Sequence, residues 1–327
     1  MRLSVIIVNY RSWTSLATTL ASLLYDTGAQ PASFEIIVVD NDSADGQLEE
    51  FRTRFPTVRF KLAPGNHGFA HACNIGAVAS SGQLLLFLNP DVRGRPEDLA
   101  RLVAEKDAHG QYAILTACQT DSRNRPRKAG DSFPGLLTSV PAIRALLRLL
   151  RPAAHPSGRL AEGSSPVPVA LDWVSGSALL ISRTDLERLG GWNESFWLYY
   201  EDVDLCLRAS RLGMRAACTT TVSIGHDHGG ASRRDEATSI LTRTEVIISR
   251  HVYVQNNFTG PYRIIFHATL IIRETAGLAL LAALNLLTLS QLTALRVRSG
   301  VLAGLLTHWV SALRHGSWQS PRAPAKD

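Results

Sequence analysis

Short apolar runs rich in β-branched residues alternate with amphipathic stretches through the first third of the chain. "LSVIIV", beginning at Leu3, has no polar interruption beyond Ser4 and predicts a strand covered on both faces. "SWTSLATTLASLL" follows with helical spacing, and Ser12 stands where an N-cap belongs. The same reading predicts strands over "FEIIVVD", "VRFKLA" and "QLLLFLN", and helices over "GQLEEFRTRF" and "GFAHACNIGAVASS". Strands alternating with helices over short links predict an α/β fold with a mainly parallel central sheet flanked by helices. In such sheets, ligands lie beyond the carboxyl ends of the strands.

The pattern changes twice further on. Residues 119–170 form a basic insertion rich in Arg, Pro and Gly, and its "VPAIRALLRLLR" has the spacing of an amphipathic helix. After residue 232 the chain reads as helical, with "RTEVIISRHVYVQNN" as one helix. Residues 277–295 come nearest to a membrane span, but Asn285, Thr288, Ser290 and Gln291 interrupt them. The arginines around that stretch, Arg263, Arg273, Arg296 and Arg298, favour helices lying on a membrane surface or forming a dimer interface.

Charge sharpens this division. The net charge of +6 resides in residues 231–327, with 11 Lys/Arg against 5 Asp/Glu, and the first 230 residues balance at 23 of each. Neither this region nor residues 121–160, with eight Lys/Arg, has interleaved aromatics, so nucleic acid is a poor match. An anionic membrane surface or a phosphate-bearing substrate fits better. Four scattered cysteines, Cys73, Cys118, Cys206 and Cys218, read as buried thiols in a reducing compartment. "MRLSVIIVNY" lacks the length and cleavage site of a signal peptide, so a cytoplasmic location is expected.

Three strand ends carry polar groups: Asn9-Tyr10-Arg11, Asp40-Asn41-Asp42 and Asn89-Pro90-Asp91. Each alone is ordinary turn chemistry, whereas three at one sheet edge suggest a site. Asp40 can accept an N–H from a pyrimidine ring, and Asp91 can hold Mg²⁺ or Mn²⁺ together with phosphate and water. "GNHGFAHACNIG" lets backbone approach a ligand and opens a helix whose free N–H groups suit phosphate. "FWLYYEDVDLCLR" sets Glu201, Asp202 and Asp204 directly behind large aromatic side chains, an awkward place for three acids. A helix start favours acids through its dipole alone, but a partly buried carboxylate with a raised pKa is also what a general base needs.

Taken in order, "VIIVNYRSW", "IIVVDNDSADG", "PGNHGFAHACNIG", "LLFLNPD", "DWVSGSALLISR", "GGWNESFWLYYEDVDLCLR" and "HDHGGAS" resemble the family 2 glycosyltransferases, and among them the bacterial rhamnosyltransferase-like branch. The resemblance covers about residues 3–232. It implies a GT-A fold over residues 1–232, with a nucleotide-binding half at 1–118, the insertion at 119–170 and an acceptor and catalytic half at 171–232. A helical C-terminal region, 233–327, follows, either membrane-associated or dimerising. The resemblance further implies a nucleoside-diphosphate sugar donor, a divalent cation and inversion at the anomeric carbon.

Carried over position by position, the resemblance puts the nucleotide sugar against Val8, Asn9, Tyr10, Asp40, Asn66, Gly68, Asn89 and Asp91. Asn89 replaces the first acid of the family's DxD element, so Asp91 must hold the cation alone among carboxylates. His226 is the favoured second ligand to the metal or diphosphate, with His228 the alternative. Asp202 is the expected base and Glu201 orients the acceptor. Trp173, Gly176, Trp192 and Glu194 are expected near the acceptor, although either tryptophan equally suits the core. Asn193-Glu194 stands where relatives often have Asp-Glu. The implied reaction moves L-rhamnose from dTDP-rhamnose to a lipid-linked or cell-envelope glycan at the inner face of the membrane. A UDP- or GDP-hexose donor, or a non-catalytic nucleotide-sugar-binding module, are the alternatives. A sugar-nucleotide pyrophosphorylase is disfavoured because "VNYRSW" lacks the glycine-rich loop that class carries after its first strand.

Overall fold

The computed structural model describes residues 2–25, 34–150, 159–226 and 235–324. The chain divides into two units. The first takes Met1–Phe133, Ala153–Asn193 and Glu201–Ala231; the second takes Pro134–Pro152, Glu194–Tyr200 and Ser232–Asp327.

The first unit is built on strands β1 (Leu3–Asn9), β2 (Phe34–Asp40), β3 (Arg59–Leu62), β4 (Leu84–Leu88), β5 (Val92–Arg93), β6 (Tyr112–Thr120), β7 (Pro126–Arg127), β8 (Gly130–Asp131), β9 (Val169–Leu171), β10 (Trp173–Val174), β11 (Ala178–Ser182) and β12 (Arg215–His226). Helices α1 (Trp13–Leu23), α2 (Gln47–Arg54), α3 (Phe69–Ala79), α4 (Pro96–Ala108), α6 (Arg183–Arg188) and α7 (Glu201–Arg211) belong to it, and α5 (Pro141–Leu150) to the second unit. The main sheet runs β3-β2-β1-β4-β11-β6-β12-β5. Its first four strands are parallel, as the alternation predicts. Beyond them the sheet becomes mixed: β11 lies antiparallel to both β4 and β6, and β12 is parallel to β6 but antiparallel to β5 and β9.

Alternation along β1 divides the core. Val5 and Ile7 pack with Leu16 and Leu20 of α1 on one face. Ile6 and Val8 pack with Ala72 and Cys73 of α3 and with Leu205 and Cys206 of α7 on the other. All seven β1 residues are buried, as a strand covered twice requires. All four cysteines are buried and free. Ser12 precedes α1 but makes no side-chain cap, because its hydroxyl donates to the Tyr10 carbonyl. The side chain of Asn9 accepts the Ser12 N–H at 3.2 Å, which ties the end of β1 to the residue before the helix. This corrects the expectation that Ser12 itself caps the helix.

The second unit contains α8 (Glu236–Asn257), α9 (Gly260–Leu287) and α10 (Thr293–His315). Tyr253, Phe266, Leu270, Val301, Leu305 and Trp309 form part of its buried interior. α9 is long and apolar enough to cross a membrane by length and composition. It ends at Leu287, so the interrupting polar residues expected in one continuous stretch fall on its last turn and on the link to α10.

Candidate active site

The register of the parallel strands brings the first group of predicted residues together. Asn9 lies directly opposite Asp40, and its Nδ2 donates to Asp40 Oδ1 at 3.3 Å. Ser43 encloses the same carboxylate, its N–H donating to Oδ2 at 3.3 Å and its hydroxyl to Oδ1. Burial pushes the Asp40 carboxyl up, and the Ser43 and Asn9 donors oppose that shift. Asn41 Nδ2 donates to Asn66 Oδ1 at 3.0 Å and to the Gly68 carbonyl at 3.4 Å, which ties the loop before α3 to the end of β2. Gly68 adopts φ 102°, a conformation that favours glycine. Val8 is buried in the strand and Tyr10 is 37% exposed. Arg11, Asp42 and Ala44 all have positive φ. Left-handed non-glycine residues thus concentrate at two neighbouring strand ends.

Around Asp91 the antiparallel pairing of β12 with β5 sets His226 beside Val92, one residue from the carboxylate. His226 Nε2 stands 3.3 Å from Asp91 Oδ1. Its Nδ1 is 2.8 Å from Gln119 Oε1, and Gln119 in turn exchanges hydrogen bonds with the Ser177 hydroxyl at 2.8 and 3.1 Å. Asn89 joins the group through its backbone N–H, which donates to the Ser177 carbonyl at 2.9 Å. One imidazole nitrogen and one carboxylate oxygen converging from two strands fit a divalent cation that takes its other ligands from diphosphate and water. Among the described residues no cluster of three or more metal-ligating side chains occurs. His228 lies outside the described residues.

The three acids of α7 have three different surroundings. Asp204, almost wholly buried, pairs with Arg208 at 2.8 Å one turn on and accepts from Asn193 Nδ2 at 3.3 Å. Arg208 also donates to the Leu189 carbonyl. Asp202 accepts from the Gly176 N–H at 2.9 Å and from the Val203 N–H at 2.8 Å. Burial raises its pKa and those backbone donors hold the rise back. Glu201 is pushed well above the ordinary carboxylate range, first by burial and then by the Asp202 and Asp204 charges. Its Oε2 is buried with no hydrogen-bond partner. Burial thus raises both carboxyls, and at Asp202 the Gly176 and Val203 donors oppose the rise.

The remaining expected residues are distributed unevenly. Gly176 lies against the base candidate, since a Cβ added there would meet Asp202 Cβ at 3.4 Å, Trp192 at 3.5 Å and Phe69 at 3.6 Å. Trp192 is 2% exposed and meets Phe69 and Phe87 edge-on at 5.9 and 5.0 Å, which makes it a core residue with no face offered for stacking. Trp173 is half-buried, its indole N–H donating to the Ser132 carbonyl at 3.0 Å. Glu194 belongs to the second unit and is half-buried. Two contributors were not anticipated. Gln119 ends an apolar strand as a fully buried amide, and Ser43 follows Asp40 at the spacing of a side-chain turn. Both signals are present in the sequence, but neither residue type announces chemistry.

Immediately before α7, Tyr199 and Tyr200 adopt φ 69° and 70°. Each such non-glycine residue costs on the order of 1 kcal/mol or more.

Residues 4–158 match the model of the family described as glycosyl transferase family 2. An N-acetylglucosaminyl-diphospho-decaprenol L-rhamnosyltransferase of Mycobacterium tuberculosis is 25% identical over 278 residues, 80% of this chain and 86% of the relative. The rhamnosyltransferase WbbL of Escherichia coli K12 is 26% identical over 206 residues, 60% of this chain and 74% of the relative. Among solved structures, the mannosyltransferase PcManGT of Pyrobaculum calidifontis, in complex with GDP-Man and Mn²⁺, superposes with a TM-score of 0.52 at 19% identity. The match covers 97% of this chain and 88% of that one, and it shows the shared GT-A fold.

Proposed function

With residues 4–158 a family 2 glycosyltransferase domain and the chain a glycosyltransferase, we propose that it inverts the anomeric centre while moving L-rhamnose from dTDP-rhamnose to a lipid-diphosphate-linked glycan. The names of the two rhamnosyltransferase relatives support the sugar, and the diphospho-decaprenol in one of them supports the acceptor class. The contrast between Glu201 and Asp202 carries the mechanism: one acid has an oxygen with no partner, the other has two backbone donors holding it as the anion.

In this reading the acceptor hydroxyl oxygen attacks the anomeric carbon and its proton passes to a carboxylate oxygen of Asp202. The bond from that carbon to the diphosphate breaks on the opposite face, and the nucleoside diphosphate leaves with the electron pair. Protonated Glu201 can donate a hydrogen bond to the acceptor and so orient it. Asn9, Tyr10, Asp40, Asn66 and Gly68 line the nucleotide side at the strand ends. Asp91 and His226 would hold a divalent cation, which when bound would neutralise charge on the departing diphosphate.

Membrane-surface contact belongs to the same reading. Ile264, Ile265, Ile272, Leu280, Leu286 and Leu287 of α9 are each more than half exposed, and only 17% of its most apolar stretch is buried. Arg273, bonded to Glu274 and to the Ser139 carbonyl, and the nearby Arg263 favour a helix lying at an anionic interface over one crossing it.

Turnover of a panel of nucleotide sugars with Mn²⁺, by wild type and Asp202→Asn, tests the proposal. Preferential use of dTDP-rhamnose, abolished in Asp202→Asn, is expected. Preference for a UDP- or GDP-hexose would replace the donor, an active Asp202→Asn enzyme would remove the base, and binding of donors without turnover of any would favour the non-catalytic module.

A further inference from the structure

Within the second unit, the link between α9 and α10 is built with its polar groups turned inward and its apolar ones outward. Residues 284–292 read "LNLLTLSQL". Leu286, Leu287, Leu289 and Leu292 are all more than half exposed, and Leu287 and Leu289 reach 79% and 81%. Asn285 is buried, Thr288 and Ser290 are half-buried, and Gln291 is the one exposed polar residue of these nine. A turn standing in water has the opposite arrangement, with its polar side chains outside.

Hydrogen bonding keeps the polar groups in. The N–H groups of Thr288, Leu289, Ser290 and Gln291 donate to the carbonyls of Leu284, Leu286, Asn285 and Thr288, at 2.9 to 3.0 Å. Asn285 Nδ2 donates to the Ser290 hydroxyl at 3.1 Å. Arg296 reaches back from α10, its Nη1 donating to the Ser290 carbonyl at 2.9 Å. Leu289 and Ser290 hold φ 48° and 58°, where glycine would be the easy residue, and leucine there keeps an apolar side chain at the apex. Backbone groups closed off by neighbours in this way are what a segment needs where water is scarce.

Charge points to lipid as the apolar medium. No Asp or Glu occurs from residue 275 to 326, against four Arg and one Lys. Arg298 is exposed and stands six residues beyond Leu292, about 9 Å along α10. That spacing suits leucines at the acyl boundary with a guanidinium among lipid phosphates. A second copy of the chain is a poorer occupant, because a symmetric contact would set one basic, acid-free turn against another. Leu280 and Leu287, seven residues apart, carry the exposed face of α9 into the turn.

We propose that the α9–α10 turn is a wedge that enters an anionic lipid bilayer, with Leu286, Leu287, Leu289 and Leu292 below the headgroups and Arg298 level with the phosphates. This rests on the reading of membrane-surface contact given above, and adds to it the element that penetrates and the lipid charge it selects.

The test is flotation of the full chain with vesicles of equal parts phosphatidylglycerol and phosphatidylcholine, beside vesicles of phosphatidylcholine alone. In Leu287→Ser/Leu289→Ser, partition to the mixed vesicles is expected to fall about tenfold or more, with Tm unchanged because both side chains are exposed. Arg298→Gln is expected to lower partition to the mixed vesicles about fivefold and to leave the neutral ones unaffected. A nitrobenzoxadiazole label on Leu289→Cys should shift to the blue on mixed vesicles and be quenched by lipids spin-labelled high on the acyl chain; the four native cysteines are buried. Wild-type partition in Leu287→Ser/Leu289→Ser with an unmoved label would overturn the wedge, and loss of partition in Ile264→Ser/Ile265→Ser would then keep the surface contact through α9 alone. Equal partition of wild type to both vesicles would overturn the choice of anionic lipid. Absence of wild-type binding to either would remove the wedge and the surface contact together. A wild-type dimer that Leu287→Ser/Leu289→Ser dissociates, without vesicle binding, would give the turn to a second copy and overturn the proposal.

Discussion

The backbone N–H of Gly176 donates to Oδ2 of Asp202 at 2.9 Å. The next residue, Ser177, bonds Gln119, and Gln119 contacts His226, whose other ring nitrogen faces Asp91 at 3.3 Å. One short segment between β10 and β11 therefore connects the acid that would take a proton with the acid that would hold a cation. Five stretches of sequence more than twenty residues apart contribute to that line of contacts. Several measurements bear on it and on the surroundings of the site.

Activity should depend on pH through Asp202. The base works only when ionised, and burial raises its pKa above the ordinary aspartate value of about 3.9. The acid limb of kcat is expected above the range of an exposed carboxylate, with the rate falling as pH drops through the raised pKa. A limb at the ordinary value would show that Asp202 is solvated or that another group is the base. Asp202→Asn is expected to lower kcat by about 10²- to 10⁴-fold while nucleotide affinity is retained.

Asp204 should behave as the opposite kind of acid. It is paired with Arg208 and nearly wholly buried, so Asp204→Ala leaves the Arg208 guanidinium without its partner. A loss of about 3 kcal/mol in unfolding free energy is expected by denaturant titration. The remaining folded protein should keep nucleotide binding. Stability lost at Asp204 and turnover lost at Asp202 would separate two residues that a motif places side by side.

His226→Ala and Asp91→Asn should weaken cation binding without unfolding the first unit. Titration of Mn²⁺ in the presence of dTDP, followed by electron paramagnetic resonance, is expected to show affinity reduced by about tenfold or more. Gln119→Leu should produce a smaller loss in the same titration, since it removes the partner on the far ring nitrogen. Unchanged Mn²⁺ affinity in His226→Ala would transfer the ligand role to His228.

The helical unit should be sensitive to acid. His251 Nδ1 lies 2.9 Å from His267 Nδ1, Trp309 donates to His251 Nε2 at 3.2 Å, and Trp318 stacks on both imidazoles. Burial holds His251 well below its ordinary value, lowers His308, and brings His267 down to about 4. Arg250, Arg263 and Arg273 add repulsion. The fold thus keeps these rings neutral, whereas the unfolded chain takes up protons below about pH 6.5. Their contribution to stability is complete above that pH and lost progressively as pH falls towards 4. A thermal melt followed by tryptophan fluorescence should show a lower Tm at pH 5 than at pH 7, with a shallower slope for His267→Gln.

Much of the first unit is legible without coordinates. The strands from "LSVIIV" to "QLLLFLN" form in the expected order, and the polar residues at their ends do meet along one edge. The reversal of β11 is not legible, because an apolar run such as "ALLIS" reads identically in a parallel or an antiparallel neighbour. Trp192 shows the same limit at a single residue. Its place beside a motif fits a sugar platform or a core side chain equally well, and only packing against Phe69 and Phe87 decides for the core.

Residue order alone determines which elements form and which polar groups finish the strands, since periodicity and turn chemistry act over a few neighbours. Tertiary structure decides what each acid of "EDVD" does. Asp202 takes the Gly176 N–H, and Asp204 pairs with Arg208 and Asn193, none of them inside the motif's four residues. The sequence therefore supplies three carboxylates, and the fold makes one a buried acid with an unpartnered oxygen, one an acceptor of two backbone N–H groups, and one half of a buried salt bridge.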